Sequence, residues 1–382
     1  MSFSKPLPVL SALLSSTILL GSLTAHADEK IHADTPRIQI ALLLDTSNSM
    51  DGLINQAKSQ LWTLVNELSE GKKDGQTPRI EIALYEYGND SISVSQGYVR
   101  QVLSLTHDLD AVSEKLFALS TNGGQEYAGQ VILNAATDLE WSQDKDDMKL
   151  MIIAGNEPFT QGPVRYESAC ARAKSGGIII DTIHCGDEQT GVETGWKAGA
   201  DCAGGIYMVI NQDEKSVHIP SPYDDKLNVL NQKLNDTYIG YGAQGATYKR
   251  RQMEQDVNAA AMSPKASIAR LKSKSSSSYS NESWDLVDAY KENEEKITAL
   301  PDDDLPDELK GKSKAERAAF IEAKAQERRQ LQKEITALSE KQKAFVDDKR
   351  KDMAHTKTLD TVMVRAIRDQ ATQSGFSYAP KS

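Results

Sequence analysis

Three oxygen-bearing side chains, Asp45, Ser47 and Ser49, alternate directly after the apolar run Leu42–Leu44. Alternate positions on an extended loop can direct their side chains toward one centre. A carboxylate and two hydroxyls form an oxygen-only environment, which suits Mg²⁺, Mn²⁺ or Ca²⁺ better than Zn²⁺. The stretch therefore predicts a divalent-metal site. The alternative is that Ser47 and Ser49 cap the helix that follows.

The elements around this loop alternate between strands and helices from Arg37 to Ile210. Ile38–Leu44 is almost wholly apolar, as a strand buried on both faces should be. The apolar residues from Leu53 to Leu68 recur at spacings of three and four, which predicts a helix with one buried face. Further predicted elements are the strands Ile80–Tyr87, Leu150–Ala154, Ile178–Ile183 and Ile206–Ile210, and the helices Ala111–Leu119, Tyr127–Leu139, Arg165–Lys174 and Thr194–Asp201. This order predicts an α/β fold with a doubly wound, mostly parallel sheet that binds ligands at the carboxyl ends of its strands.

The pattern Asp-x-Ser-x-Ser directly after a strand resembles the metal-ion-dependent adhesion site of von Willebrand factor A domains. The resemblance covers Arg37 to Ile210, including the order of strands and helices. It implies a doubly wound sheet, a bound divalent metal and a protein partner that offers its own carboxylate to the metal.

Two further ligands of that family are altered in this chain. The family places a Thr after a Gly-Gly turn, whereas here Gly123-Gly124 is followed by Gln125 and Glu126. Glu126 is the best substitute for the Thr, and its alternative role is that of an exposed acid in a first helical turn.

The family's last ligand is an Asp in a Thr-Asp-Gly turn, and Gly155 occupies that position. Asn156 or Glu157 could supply an oxygen instead, although Gly-Asn followed by Pro158 also suits a plain turn. The resemblance thus implies metal ligands at Asp45, Ser47, Ser49, Glu126 and Asn156.

The chain beyond residue 212 has few runs of β-branched residues, which predicts mainly helical structure. We expect a domain at 34–212, a helical extension at 213–300 with a Ser/Lys-rich linker at Lys272–Ser280, and a charged helical region at 301–382. Lys314–Lys351 contains no Gly or Pro, which predicts one long charged helix with a modest heptad-like apolar stripe. The weak stripe favours a helix packed on its own domain over a coiled coil.

The first residues predict export. An apolar run at Leu10–Leu23 is followed by Ala25-His26-Ala27, which is typical of a signal peptide over residues 1–27. We expect a mature protein that starts near Asp28 in the periplasm or outside the cell, without a transmembrane anchor. The alternative is an uncleaved N-terminal anchor. The formal net charge of −11 argues against nucleic acid as a partner.

The three cysteines predict one disulfide and one free thiol in an oxidising compartment. In a parallel βαβ unit, a helix begins and the next strand ends on the same side of the sheet. Cys170 lies early in a helix and Cys185 ends the following strand, so we expect these two to pair and Cys202 to be free.

Three functions are compatible with these features. The turns between strands and helices lack the Gly-x-Gly-x-x-Gly and Walker-type phosphate loops, and the sequence lacks the Gly-x-Ser-x-Gly elbow and the His-Glu-x-x-His motif. A cell-envelope binding protein is therefore favoured over an enzyme. A metal-dependent hydrolase would need a general base near the metal, for which Glu126 or Glu157 could serve. The third possibility is a structural scaffold with a vestigial metal site. His184, Trp141, Trp196 and Trp284 are interpreted as structural residues.

Overall fold

A six-stranded sheet organises the first half of the chain. The computed structural model describes residues 35–211, 218–350 and 359–378, so the predicted signal peptide at 1–27 lies outside the described residues. The strands are β1 (Arg37–Asp45), β2 (Arg79–Tyr87), β3 (Val99–Thr106), β4 (Met148–Gly155), β5 (Ile179–Cys185) and β6 (Tyr207–Ile210). Their spatial order is β3-β2-β1-β4-β5-β6, and every pair is parallel except β2 with β3. The predicted mostly parallel α/β sheet is confirmed.

Helices cover both faces of this sheet. They are α1 (Asp51–Glu70), α2 (Leu109–Phe117), α3 (Ala128–Asp138), α4 (Tyr166–Ser175), α5 (Glu188–Glu193) and α6 (Trp196–Asp201). Residues of β1 point alternately to the two faces: Leu42 and Leu44 pack with α1, whereas Ala41 and Leu43 pack with α3. Both faces of β1 are therefore buried, which is why its sequence is apolar at nearly every position.

In the part of the chain that the structure describes, seven more helices follow the sheet: α7 (Asp224–Asn235), α8 (Gly245–Met262), α9 (Pro264–Lys274), α10 (Leu286–Glu292), α11 (Glu294–Thr298), α12 (Lys314–Arg350) and α13 (Leu359–Gln373). Helices α9 and α13 pack on α1, so the C-terminal helices extend the core on that face of the sheet. The long helix α12 contacts α7, α9, α10 and α11 of its own chain, in agreement with the favoured interpretation of this segment. Among the described residues, no helix is long and apolar enough to cross a membrane.

The predicted linker at Lys272–Ser280 is wrong in its first part. Lys272–Lys274 form the last turn of α9, and the side chains of Ser273 and Lys274 are fully buried. The Lys274 ammonium donates to Asp256 at 2.8 Å and to side-chain oxygens of Asn231 and Asn235. A buried ammonium is tolerated when its donors are satisfied and its charge is paired, and this arrangement cannot be read from a Ser/Lys-rich composition.

The predicted disulfide is also wrong. Cys170 pairs with Cys202, with 6.0 Å between their Cα atoms, and Cys185 is a buried free thiol. Cys170 and Cys202 lie on one face of the sheet, whereas the side chain of Cys185 packs into the core on the other face. Because successive strand residues point to opposite faces, the sheet itself separates Cys185 from Cys170.

The aromatic residues expected in the core are buried. Trp141, Trp196 and Trp284 are each less than a tenth exposed. His184 is buried beside the Trp196 ring, but neither of its ring nitrogens has a hydrogen-bond partner among the described residues. Burial lowers the pKa of His184, which favours its neutral form.

Candidate metal site

Asp45 is the last residue of β1, and its side chain is completely buried. Its Oδ1 atom accepts the backbone N–H of Ser47 at 2.8 Å, whereas its Oδ2 atom has no hydrogen-bond partner among the described residues. Desolvation is the main reason that the pKa of Asp45 rises to about 7, and the nearby carboxylates of Glu126 and Glu157 raise it further. A buried carboxylate oxygen without a donor is costly, and a cation would satisfy it.

The two serines of the loop follow Asp45 closely. The Oγ atoms of Ser47 and Ser49 are 3.2 Å apart, and the Asn156 amide nitrogen donates to Ser49 Oγ at 3.2 Å. Ser47 precedes the short 3-10 turn Asn48–Met50, but its side chain makes no capping hydrogen bond there. The helix α1 begins at Asp51 after Met50, again without a side-chain cap. The capping role considered for these serines is therefore not observed.

Glu126 lies two residues before α3 and is only 9% exposed, so it is not an exposed acid in the first helical turn. Its position follows from two glycines that allow close backbone approach. A Cβ atom on Gly124 would lie 2.3 Å from the carbonyl oxygen of Gly88, so only glycine fits there. Desolvation is again the main reason that the pKa of Glu126 rises, and Glu157 and Asp90 contribute as like charges.

Gly88 shows how close Glu126 is to Asp45. A Cβ atom on Gly88 would lie 2.8 Å from Asp45 Oδ1 and 3.0 Å from Glu126 Cγ. The two carboxyl side chains therefore flank one point in space. The structure brings Glu126 to the loop of Asp45, and its role as a metal ligand stays a prediction.

Gly155 ends β4 at the position where the family resemblance places an Asp. A Cβ atom there would lie 2.5 Å from the Tyr87 hydroxyl oxygen and 3.0 Å from Asp45 Oδ2. The Tyr87 hydroxyl in turn donates to the Ala154 carbonyl oxygen at 3.0 Å. A side chain at position 155 would therefore have to displace the Tyr87 hydroxyl and crowd the Asp45 carboxylate. The next residue, Asn156, carries the polar side chain that reaches Ser49.

The donors gathered at this edge are chemically consistent with a hard divalent cation. They are two carboxylates, two hydroxyls and one amide, from Asp45, Glu126, Ser47, Ser49 and Asn156. Among the described residues, no group of three or more His, Cys, Asp and Glu side chains is close enough to hold a metal ion. A metal here would therefore depend on the hydroxyl and amide oxygens as well as on carboxylates, as Mg²⁺ and Ca²⁺ commonly do.

Asp90 is a neighbour of the site that the sequence interpretation missed. Its Oδ2 atom lies 3.7 Å from the position that a Cβ on Gly123 would take, beside the Asn48 amide. Asp90 follows β2 by three residues. The rule that the carboxyl ends of parallel strands share one edge could have identified it.

Comparison with known proteins supports the fold assignment. Residues 39–197 match the family described as von Willebrand factor type A domain. The match covers less than half of the 382 residues. A search of curated proteins found no match.

Three solved structures that match this chain have low sequence identity. One is a von Willebrand factor type A protein from Catenulispora acidiphila, with 16% identity, TM-score 0.35, and coverage of 46% of this chain and 39% of that one. Another is BatB from Bacteroides thetaiotaomicron, with 16% identity, TM-score 0.35, and coverage of 45% and 90%. A third is proximal thread matrix protein 1 from the mussel byssus with a zinc-occupied MIDAS motif, with 14% identity, TM-score 0.36, and coverage of 47% and 43%. This chain thus spans well under half of the Catenulispora protein.

The family match covers the sheet from β1 to the start of α6, including the loop of Asp45 and the turn of Glu126. This part of the chain is therefore similar to von Willebrand factor type A domains.

Proposed function

We propose that this chain is an exported binding protein that captures a protein partner through a divalent metal held at the Asp45 loop. Domains of the von Willebrand factor A family commonly bind protein partners and often hold a divalent metal. The observation that carries the proposal is the buried Asp45 Oδ2 atom. It has no donor among the residues that the structure describes, and it lies at the edge where Ser47 and Glu126 converge.

Each side chain of the site has a distinct part in this proposal. Asp45 and Glu126 would supply charge, and Ser47, Ser49 and Asn156 would supply neutral oxygen donors. When bound, the metal supplies an electrophilic centre to which an oxygen atom of the partner can add. The family resemblance makes that oxygen a carboxylate of the partner.

Binding of metal to the folded state raises the free energy of unfolding by about 2.7 kcal/mol at a hundredfold excess over Kd. We expect thermal melts of the mature protein to shift upward with Mg²⁺, Mn²⁺ or Ca²⁺. Asp45→Asn should abolish the shift, because it removes the only charge of the loop. Without metal the Asp45→Asn variant should be at least as stable as wild type, because burial already disfavours the charged form of Asp45.

Two comparisons make this test specific. Ser47→Ala and Ser49→Ala should reduce the shift by less than Asp45→Asn, since each removes a neutral donor. Asp201→Asn removes an exposed acid that pairs with Lys197 on α6, and it should leave the shift intact. An unchanged metal response in Asp45→Asn would contradict the proposed site.

The proposed role is binding and not catalysis. Screening with ester and phosphate substrates in the presence of metal should therefore give no rate above that of the Asp45→Asn variant. A metal-dependent rate that disappears in Glu126→Gln would instead favour a hydrolase with Glu126 as general base. A partner should be retained from envelope extracts with metal and released by a chelator.

Export is supported by the apolar run before Ala25-His26-Ala27 and by the Cys170–Cys202 disulfide, since disulfides persist in oxidising compartments. N-terminal sequencing of the protein isolated from cells should begin at Asp28. Retention of residues before Ala25 in a membrane fraction would contradict this part of the proposal.

A further inference from the structure

A groove lies between the loop that follows α7 and the segment that precedes α12. It is lined chiefly by residues 238–242 and 303–308 and by Phe320 of α12, and its volume is about 590 Å³. A groove of this size accommodates a small molecule or a side chain of a binding partner. None of its lining residues belongs to the loop of Asp45 or to the strands of the sheet, so it is distinct from the proposed metal site.

Backbone hydrogen bonds fix the two walls of the groove. The Tyr241 N–H donates to the Trp284 carbonyl oxygen at 2.9 Å, and the Gly242 N–H donates to the Asp304 carbonyl oxygen at 2.8 Å. The second of these bonds joins one wall to the other. The groove is therefore formed by the fold itself and does not depend on a bound ligand.

The base of the groove is aliphatic and aromatic. Ile239 and Leu305 are buried there, and the partly buried rings of Tyr241 and Phe320 pack against the same hydrophobic cluster. The Tyr241 hydroxyl donates to the Glu282 carbonyl oxygen at 2.7 Å, so its only hydrogen-bond donor is already used. The base of the groove therefore offers aromatic ring surface to a ligand.

The groove is also strongly acidic. Its lining includes five carboxylates and two ammonium groups, which give a formal net charge of −3. The carboxylates belong to Asp236, Asp303, Asp304, Asp307 and Glu308, and the ammonium groups belong to Lys249 and Lys324. Among the described residues, Asp307 is the only one of the five acids with an ion pair, which it forms with Lys310 at 2.7 Å. Four carboxylates are therefore available to an incoming cation.

The two lysines of the groove interact with other groups. The Lys324 ammonium forms an ion pair with Glu327 of the same helix at 2.9 Å, and the Lys249 ammonium donates to the Tyr238 carbonyl oxygen at 2.8 Å. Neither contact involves a carboxylate of the groove, so the negative charge of the groove is not neutralised by these lysines.

The acids of this segment already stabilise a nearby positive charge. The pKa of Lys310 is raised, mainly by its hydrogen bond to Asp307 and in addition by the charge of Asp303. The whole chain carries a formal net charge of −11, so positively charged partners are attracted to it at long range as well.

We infer that this groove is a docking site for an arginine side chain in a basic segment of a protein partner. A guanidinium group stacks on aromatic rings and forms paired hydrogen bonds with carboxylates, so it matches an aromatic base below an acidic rim. The ammonium group of a lysine is charged but cannot stack as a plane. This docking site goes beyond the metal-dependent binding proposed above and does not require a metal.

The test uses a short fluorescent peptide that is rich in arginine and blocked at both ends, so that it carries no carboxylate. Fluorescence anisotropy with the mature protein measures its affinity in the presence of a chelator, which keeps the proposed metal site empty. The wild type should bind this peptide, and it should bind a peptide of the same length with glutamine in place of arginine at least about tenfold more weakly.

Two variants examine the rim and the base separately. The double variant Asp303→Asn/Glu308→Gln removes two unpaired and exposed carboxylates, and it should weaken binding of the arginine peptide at least about fivefold. Phe320→Leu keeps an aliphatic side chain on the hydrophobic cluster but removes the ring, and it should weaken binding about threefold. Thermal melts of each variant show whether it remains folded.

The matched control is the double variant Glu140→Gln/Asp201→Asn. Both acids are exposed, and they adjoin α3 and α6, which pack on the face of the sheet opposite α1 and the C-terminal helices. This control removes the same total charge, so it should change the affinity less than about twofold if the groove binds the peptide.

The possible outcomes separate specific docking from general attraction to an acidic protein. Equal weakening by the control and by Asp303→Asn/Glu308→Gln would overturn the inference, as would equal binding of the arginine and glutamine peptides. Absence of binding to the wild type at low salt would also overturn it. Because the chelator is present throughout, none of these results depends on whether the Asp45 loop binds a metal.

Discussion

Asp181 provides a test of how the C-terminal helix α13 is joined to the sheet. Its carboxyl group is completely buried in β5, where Oδ1 accepts the Ile206 backbone N–H at 2.7 Å and the Gln370 side-chain amide of α13 at 3.1 Å. Asp181 Oδ2 and Gln370 Oε1 are both buried and have no partner among the described residues. Protonation of Asp181, or its replacement by Asn, would place a hydrogen-bond donor at the Oδ2 position, beside two acceptors that now have none among the described residues.

The expected effect of Asp181→Asn follows from the shifted pKa. Burial raises the pKa of Asp181 to about 6, although the hydrogen bonds from Ile206 and Gln370 oppose the shift. The folded state therefore retains a proton that the unfolded state has lost, so the free energy of unfolding falls as the pH rises from about 4 to about 6. A rise of this size in the pKa of Asp181 lowers the free energy of unfolding by roughly 3 kcal/mol at neutral pH. The variant cannot ionise, so it should be more stable than wild type by up to about 3 kcal/mol above pH 6 and nearly equal to it at pH 4.

Urea unfolding of both proteins at pH 4.5, 6.0 and 7.5 measures this difference, in which the contributions of all other titrating groups cancel. The exposed control Asp201→Asn should differ from wild type by less than about 0.5 kcal/mol at every pH. In Gln370→Met the Asp181 carboxylate loses a hydrogen-bond donor. The free energy of unfolding should therefore fall further between pH 4.5 and pH 7.5 than it does in the wild type. A variant Asp181→Asn that is less stable than wild type at pH 7.5, or whose difference does not change with pH, would refute this account.

Two further predictions concern covalent and ionic links. Cys202→Ser should lower the free energy of unfolding by about 3–4 kcal/mol, because the bridge closes a loop with a sequence separation of 32. In the wild type without reductant, Cys185 alone of the three cysteines should be alkylated, and only after unfolding. Arg328→Met should lower the free energy of unfolding, measured by urea titration, by about 3–5 kcal/mol, because it leaves the buried Asp285 carboxylate without its 2.7 Å ion pair. The control Arg329→Met changes an exposed neighbour and should alter the free energy of unfolding by less than about 0.5 kcal/mol.

The sheet could be predicted because its strands follow local rules. A strand that is buried on both faces must be apolar at successive positions, and the segment Ile38–Leu44 satisfies this rule without reference to the rest of the chain. The edge strand Val99–Thr106 was not predicted, because only one of its eight residues is buried and it carries no such run. The order of the remaining elements was sufficient to predict a parallel sheet and the edge at which Asp45 lies.

The C-terminal half shows where composition was misleading. Arg270 is fully buried in α9 and pairs with Asp110 of α2 at 2.8 Å across 160 residues, while Lys274 is buried beside Asp256. Charged residues usually predict an exposed or flexible segment, and only partners that are distant in sequence make their burial tolerable. This pairing between α2 and α9 joins the C-terminal helices to the sheet domain.

The sequence by itself determined the fold class and the loop of Asp45, because the periodicity of apolar residues and the residue types at a strand end act over a few positions. The tertiary structure decided which thiols pair, because Cys185 and Cys170 lie on opposite faces of the sheet. It also decided that Glu126 is buried beside Asp45 and that a side chain at Gly155 would collide with Tyr87, because both depend on the close approach of residues from different strands. Such packing distances are not encoded in any local pattern, since they arise only when β1, β2 and β4 lie side by side.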